Sequence, residues 1–148
     1  MAFERAIRQK AEREDMQSLA DEERVVLAIE ALEREVNNGG YDQFFVNSSR
    51  EFAPTIVGAL LRIGCKKTAR ITERAILAIG VSELTEATIE AAMSEDAEGR
   101  TARLSRCDDS YHKSGEQIGE RLFAFLNSER GAHRIVAGPV FFGFWRPG

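Results

Sequence analysis

The sequence predicts an all-α fold: a compact single-domain bundle of six to eight helices with an aromatic C-terminal tail. The chain of 148 residues has only three prolines, and Ala, Leu, Glu and Arg, which favour helix, are abundant up to residue 138. Apolar residues recur at helical spacing, and the alternation typical of strands is absent before residue 139. We divide the chain into an N-terminal helical arm (1–18), a helical domain (19–138) and the aromatic tail (139–148).

The strongest helical pattern covers residues 21–37. Its apolar side chains fall at i, i+4, i+7 and i+11, which places them on one stripe. Residues 38–40, Asn-Gly-Gly, end this helix because they tolerate a left-handed backbone. A highly charged helix is expected over 3–15, either peripheral or a partner-binding arm, and a short helix is expected over 41–47. The stripe of the strongest helix consists of Val25, Ile29, Leu32 and Val36.

Three more helices are predicted in the middle of the chain. A capping box at Ser48 and Glu51 is expected to open a helix over 50–63. The next helix covers 66–79 and ends at Gly80. A third is capped by Ser82 or Thr85 and reaches about residue 97.

The last third is more polar, and we expect residues 98–107 to form a connector. Asp108 or Asp109 then caps a short turn over 110–113. A second capping box, at Ser114 and Gln117, opens a helix over 115–127. A final short helix is expected over 129–136.

Composition excludes several classes of protein. The 43% hydrophobic content excludes wholesale disorder, and no apolar run reaches the roughly 18 residues that a transmembrane helix needs. The N-terminus carries mixed charge, unlike a signal peptide. Cys65 and Cys107 do not make a secreted disulfide framework. We therefore expect a soluble cytoplasmic protein.

The net charge of −4 conceals an uneven distribution. The net charge is −4 over residues 1–40, +3 over 41–82, −6 over 83–98 and +3 over 99–148. Such segregation either marks an interaction surface or disappears when adjacent segments neutralise one another in the fold.

One local motif stands out between the two helices that meet at the glycine pair. Tyr41, Phe44 and Phe45 are expected to insert as a hydrophobic wedge after the turn. Gln43 and Asn47 lie four residues apart and so share a helix face. Their amides either hold the backbone of the turn or face a ligand.

This motif reads NGGYDQFFVNSS over residues 38–49 and is followed by GALLRIGC over 58–65. The pair resembles a bacterial family of largely uncharacterised helical domains named after DNA-mimic proteins, with residues 20–136 covered. A second element of the resemblance is the segment from Asp108 to Tyr111, and Arg50 stands where the family usually has Gly. The resemblance implies an all-helical fold and, for mimic members, binding of a DNA-binding protein in place of DNA. It implies a structural role for Gly39, Gly40, Gln43 and Asn47, and we expect Tyr111 to anchor the core.

A DNA mimic needs carboxylates at the spacing of phosphates, and i,i+3 and i,i+4 helix neighbours, about 5–6 Å apart, approximate it. We predict a non-enzymatic protein-binding module that engages a basic or DNA-binding protein through an acidic helix surface. A second acidic row is expected at Glu23, Glu30 and Glu33. The first acidic row, over residues 83–96, contains the predicted partner-binding residues Glu83, Glu86, Glu90, Glu95 and Asp96.

The alternative is a small ligand-binding or enzymatic domain with a polar pocket around Gln43, Asn47 and Tyr111. Enzymatic chemistry has little support, because Cys107 and His112 lack an evident orienting group. The cluster from Cys107 to His112 also lacks the spacing of a zinc site. We expect no catalytic residue, metal or cofactor.

For two other segments, the sequence is consistent with more than one kind of partner. The bases Arg100, Arg103 and Arg106 either contact nucleic acid or pair with the acidic residues 83–98; we expect neither direct nucleic-acid binding nor membrane binding. The aromatic tail either packs on its own core, forms a homodimer or, less suitably, stacks on nucleic-acid bases. The tail residues concerned are Phe141, Phe142, Phe144 and Trp145.

Overall fold

The computed structural model describes the backbone of residues 17–133 and the side chains of residues 21–128. Within that range the chain forms seven α-helices, one 3₁₀-helix and no strand, which confirms the all-α prediction. The predicted helix over 3–15 and the aromatic tail with its proposed dimer contact lie outside the described residues. The elements are α1 Gln17–Gly39, α2 Tyr41–Val46, the 3₁₀-helix Ser48–Phe52, α3 Ala53–Arg62, α4 Lys66–Ile79, α5 Glu86–Met93, α6 Arg100–Lys113 and α7 Ile118–His133.

Helix α1 is the central element of the described fold. Its 23 residues span about 35 Å, and its apolar stripe is buried as predicted. Over residues 22–32 only Arg24 is exposed, so α1 is buried on more sides than one stripe requires. It packs against α2 and α3, while α6 packs against α2 and α4.

The hydrophobic wedge fills the centre of this core. Tyr41, Phe44 and Phe45 are fully buried, as the sequence predicts. The rings of Phe44 and Phe45 meet edge to face at 5.3 Å, a favourable aromatic geometry. Ile56 and Leu60 of α3 are fully buried in the same cluster, so the short helix α2 is anchored by tertiary packing.

Several predicted boundaries are confirmed. Helix α4 runs from Lys66 to Ile79 and ends at Gly80 in a left-handed conformation, φ +79°. Thr85 caps α5 and forms a capping box with Thr88. This helix ends at Met93, short of the predicted residue 97.

The helix predicted over 50–63 is divided. Residues 48–52 form the 3₁₀-helix, so Ser48 lies inside that element and does not open an α-helix. The Ser49 hydroxyl donates to the carbonyl of Phe44 at 2.8 Å, and Arg50 donates to the carbonyl of Val46 at 2.6 Å. These bonds hold the 3₁₀-helix against the end of α2, and α3 begins directly after the 3₁₀-helix, at Ala53.

The polar connector over 98–107 and the turn over 110–113 are wrong predictions. Residues 100–113 form the single helix α6, whose buried Leu104, Cys107 and Tyr111 repeat at i, i+3 and i+7. Neither Asp108 nor Asp109 caps a turn, because both lie within this helix. Three buried positions among many polar ones gave too weak a signal for a helix.

The second capping box is also a wrong prediction. Helix α7 begins at Ile118, beyond Gln117, and continues to His133, so residues 129–133 belong to α7; the rest of the helix predicted over 129–136 lies outside the described residues. Glu116 caps a different helix: its carboxylate accepts the backbone N–H groups of Lys67 and Thr68 at 2.9 and 2.8 Å and the Thr68 hydroxyl at 2.7 Å. No helix in the described range is both long and apolar enough to cross a membrane.

Candidate functional site

The glycine pair joins α1 to α2 and meets α6. Gly40 has φ +86° and ψ −179°, a conformation essentially restricted to glycine. A Cβ there would lie 2.4 Å from Oδ2 of Asp108. The other oxygen of Asp108 accepts the N–H of Tyr41 at 2.8 Å and so satisfies an otherwise free donor in the first turn of α2. The fold thus brings together the two segments that carry the sequence resemblance.

Two buried tyrosines extend this joint into the core. The rings of Tyr41 and Tyr111 meet edge to face at 5.9 Å. The Tyr41 hydroxyl lies 2.7 Å from Oγ1 of Thr72, and the Tyr111 hydroxyl donates to the carboxylate of Glu33. Burial raises the pKa of both phenols. Burial also raises the pKa of Glu33, against the opposing effect of the Tyr111 hydrogen bond.

Gln43 and Asn47 make separate contacts with the end of α1. Oε1 of half-buried Gln43 accepts from the Asn38 amide at 3.0 Å, and the exposed Asn47 amide donates to Glu35 at 3.0 Å. A Cβ on Gly39 would lie 2.4 Å from Cγ of Gln43. These two amides and Tyr111, the three residues of the predicted polar pocket, therefore bond three different partners.

The five predicted partner-binding acids are all exposed. Helix α5 is short, so only Glu86 and Glu90 lie on a helix face. Glu83 precedes α5, and Glu95 and Asp96 follow it in the segment between α5 and α6. Oε1 of Glu90 lies 3.5 Å from the Arg50 guanidinium, which offsets one negative charge of the segment.

The second acidic row predicted from the sequence is wrong. Glu23 and Glu30 are 9% and 2% exposed, and Glu33 is half-buried with Tyr111 as its hydrogen-bond donor. The three carboxylates have the predicted helical spacing along α1, but this part of α1 is buried on several sides. Of the two rows, only the segment around α5 is on the surface.

The three bases at 100, 103 and 106 have two different environments. Arg100 is 8% exposed and donates to the carbonyls of Ala92 and Glu95 at 2.9 and 2.7 Å, so it covers the C-terminal end of α5. Arg103 and Arg106 are exposed and line a depression with Arg74 of α4. Among the described side chains, none of these three bases forms an ion pair with an acid of the 83–98 segment.

The thiols have the properties of core residues. Cys65 and Cys107 are free and buried. Burial raises the pKa of Cys65 to about 11, and burial likewise raises the pKa of Cys107. Both are therefore protonated near neutral pH and are poor nucleophiles. In the described part of the chain, no group of three or more His, Cys, Asp and Glu is placed to hold a metal ion.

Together these features define a class: an all-helical domain whose two motif segments meet in a glycine–carboxylate joint beside a buried tyrosine pair. The chain matches the family model described as "DMP19-like protein" over residues 17–129 and belongs to that family. The matched range includes the joint, the acidic segment and most of α7. No match was found among curated proteins or solved structures.

Proposed function

We propose that this protein is a non-enzymatic binding module that engages a basic, DNA-binding protein through the exposed acids around α5, in place of DNA. The observation that carries the proposal is the exposure of Glu83, Glu86, Glu90, Glu95 and Asp96. Membership of the DMP19-like family, which is named after DNA-mimic proteins, supports it. The residues of the glycine joint have a structural role in this proposal, since they fix α2, against which α5 packs.

The local electrostatics favour this segment over the rest of the acidic residues. Residues 83–98 contain six acids and no base. Arg100, the first base after the segment, donates hydrogen bonds to backbone carbonyls. Because these bonds occupy its guanidinium, the neighbouring carboxylates remain available to bind a partner. Arg50 pairs with Glu90 and makes that residue the least suitable of the five for a test.

A displacement assay tests the proposal. Proteins from a bacterial lysate are loaded on immobilised duplex DNA at low salt and eluted with the purified full-length chain. A mimic releases one or a few DNA-binding proteins that buffer does not release, and the release weakens as salt is raised. If the chain releases no protein beyond the buffer control at low salt, DNA mimicry is excluded.

Matched charge variants locate the surface. The test variant combines Glu86→Gln, Glu95→Gln and Asp96→Asn, and we expect it to lose release. A control variant removes three exposed charges elsewhere: Asp42→Asn, Asp109→Asn and Glu120→Gln. Equal loss in both variants would show that only the total charge matters and would contradict a defined acidic site.

A further inference from the structure

Helices α4 and α6 enclose a groove whose charge is opposite to that of the whole chain. Two depressions, of about 640 and 340 Å³, share Arg74 and Ser110 in their linings and so form one continuous groove. Within the described part of the chain, six exposed bases line the groove, together with one carboxylate, that of Glu73. We call this surface the basic groove; its bases are Lys67, Arg70, Arg74, Arg103, Arg106 and Lys113.

The bases form two rows. In α4 they occupy i, i+3 and i+7, and in α6 they occupy i, i+3 and i+10, so each row follows one face of its helix. The start of α4 lies opposite the end of α6, since Lys67 and Lys113 line the same depression, whereas Arg74 faces Arg103 in the other. The helices are therefore antiparallel. The longer row extends about 15 Å.

The floor of the groove is apolar. Ile71, Ala78 and Cys107 are buried beneath the bases, and Leu77, 73% exposed, stands at one end. Among the described residues, none of the six bases takes part in an ion pair. The groove thus offers free cations on both sides and an apolar contact between them.

We infer that the basic groove binds an acidic, amphipathic segment of a partner protein. The axes of two packed helices lie about 8–10 Å apart, so the two rows of bases are separated by about the width of one polypeptide helix lying over the groove. Among the described residues no aromatic side chain lines the groove, so this part of the chain supplies no stacking platform of the kind typical of sites for single-stranded nucleic acid. An acidic helix with an apolar stripe matches both the two rows of charge and the apolar floor. This site is built from helices other than α5 and does not depend on the proposed function.

Fluorescence anisotropy with a defined probe tests this inference. The probe is a labelled peptide of about 14 residues with a leucine stripe flanked by glutamates, long enough to follow the groove. We expect binding that weakens with salt and that falls at least roughly tenfold when glutamine replaces every glutamate. Labelled oligothymidylate is the competing probe. Tighter binding of the oligonucleotide than of the peptide would overturn the inference, as would absence of peptide binding at low salt.

Variants of the full-length chain test whether the peptide binds in the basic groove. The double variant Arg74→Gln with Arg106→Gln should lower the affinity for the peptide roughly three- to tenfold. Leu77→Ser should also lower this affinity, without changing the charge of the groove. The control pair Arg24→Gln and Lys66→Gln removes two exposed charges outside the groove and should leave affinity unchanged. Equal effects of groove and control pairs would refute the site. The acidic-segment variant should bind the peptide normally, so failure of either proposal can be told from failure of the other.

Discussion

Replacing Gly40 by Ala should break the joint between α1, α2 and α6. The backbone at φ +86° and ψ −179° costs a residue with a Cβ about 1–3 kcal/mol. The new Cβ, 2.4 Å from Oδ2 of Asp108, also pushes away the carboxylate that accepts the Tyr41 N–H. Loss of that charged hydrogen bond adds about 1.5–3 kcal/mol. We therefore expect Gly40→Ala to lower the free energy of unfolding by about 3–5 kcal/mol and the Tm by roughly 6–20 °C.

Two other glycines serve as controls for this prediction. Gly80 also has a positive φ, but a Cβ there meets no atom of the described residues within 4 Å, so Gly80→Ala should show backbone strain alone, about 1–2 kcal/mol. Gly58 lies inside α3 with open space around it, and Gly58→Ala should stabilise by about 0.4–1 kcal/mol.

Urea unfolding followed by circular dichroism measures all three variants. In an Asp108→Ala background the clash is gone, so Gly40→Ala should then cost only its backbone strain, about 1–3 kcal/mol, and less than in the wild-type background. The reasoning is refuted if Gly40→Ala costs no more than Gly80→Ala in the wild-type background.

The other predictions concern three polar contacts: two whose contribution to stability depends on pH and one whose contribution does not. Burial raises the pKa of Glu116, but hydrogen bonds from Thr68 and the start of α4 outweigh burial and lower that pKa. Glu116→Gln should therefore lower the free energy of unfolding by about 1–2 kcal/mol at pH 7. This difference should vanish as the pH falls below the usual carboxyl range, because protonation then removes the charged acceptor from the wild-type protein. Urea unfolding at pH 7 and at low pH measures this, and a constant difference would contradict it. Tyr111→Phe removes the donor to Glu33 and should cost about 1–3 kcal/mol near neutral pH and less once Glu33 is protonated in acid. Tyr41→Phe breaks a bond between two neutral hydroxyls and should cost about 1 kcal/mol at both pH values; a pH-dependent loss there would show that another group is involved.

The sequence predicts those parts of the fold whose signals are local. The bounds of α4 follow from its apolar spacing and from Gly80, which ends it. The wedge of Tyr41, Phe44 and Phe45 is predictable because three large aromatic side chains in five residues must find a core.

What the sequence does not predict depends on contacts between distant segments. Asp108 is predicted from the sequence to cap the turn beside it, and Glu116 lies within the capping box predicted at Ser114 and Gln117, yet each caps a helix far away in the chain. The burial of Glu23 and Glu30 is likewise invisible in their spacing, because burial depends on which elements pack around α1. The position of the acids around α5 on the surface could be predicted; the basic groove could not, since it requires α4 and α6 to lie side by side.

The remote caps have a consequence for how the chain folds. The bond from Tyr41 to Asp108 spans 67 residues, and that from Thr68 to Glu116 spans 48. The start of α2 and the start of α4 are thus completed only when later parts of the chain have docked, so neither helix gains its full stability as an isolated unit. Folding of these elements should be cooperative, and the amide protons of Tyr41 and Thr68 should exchange with solvent only through openings that also release α6 or Glu116.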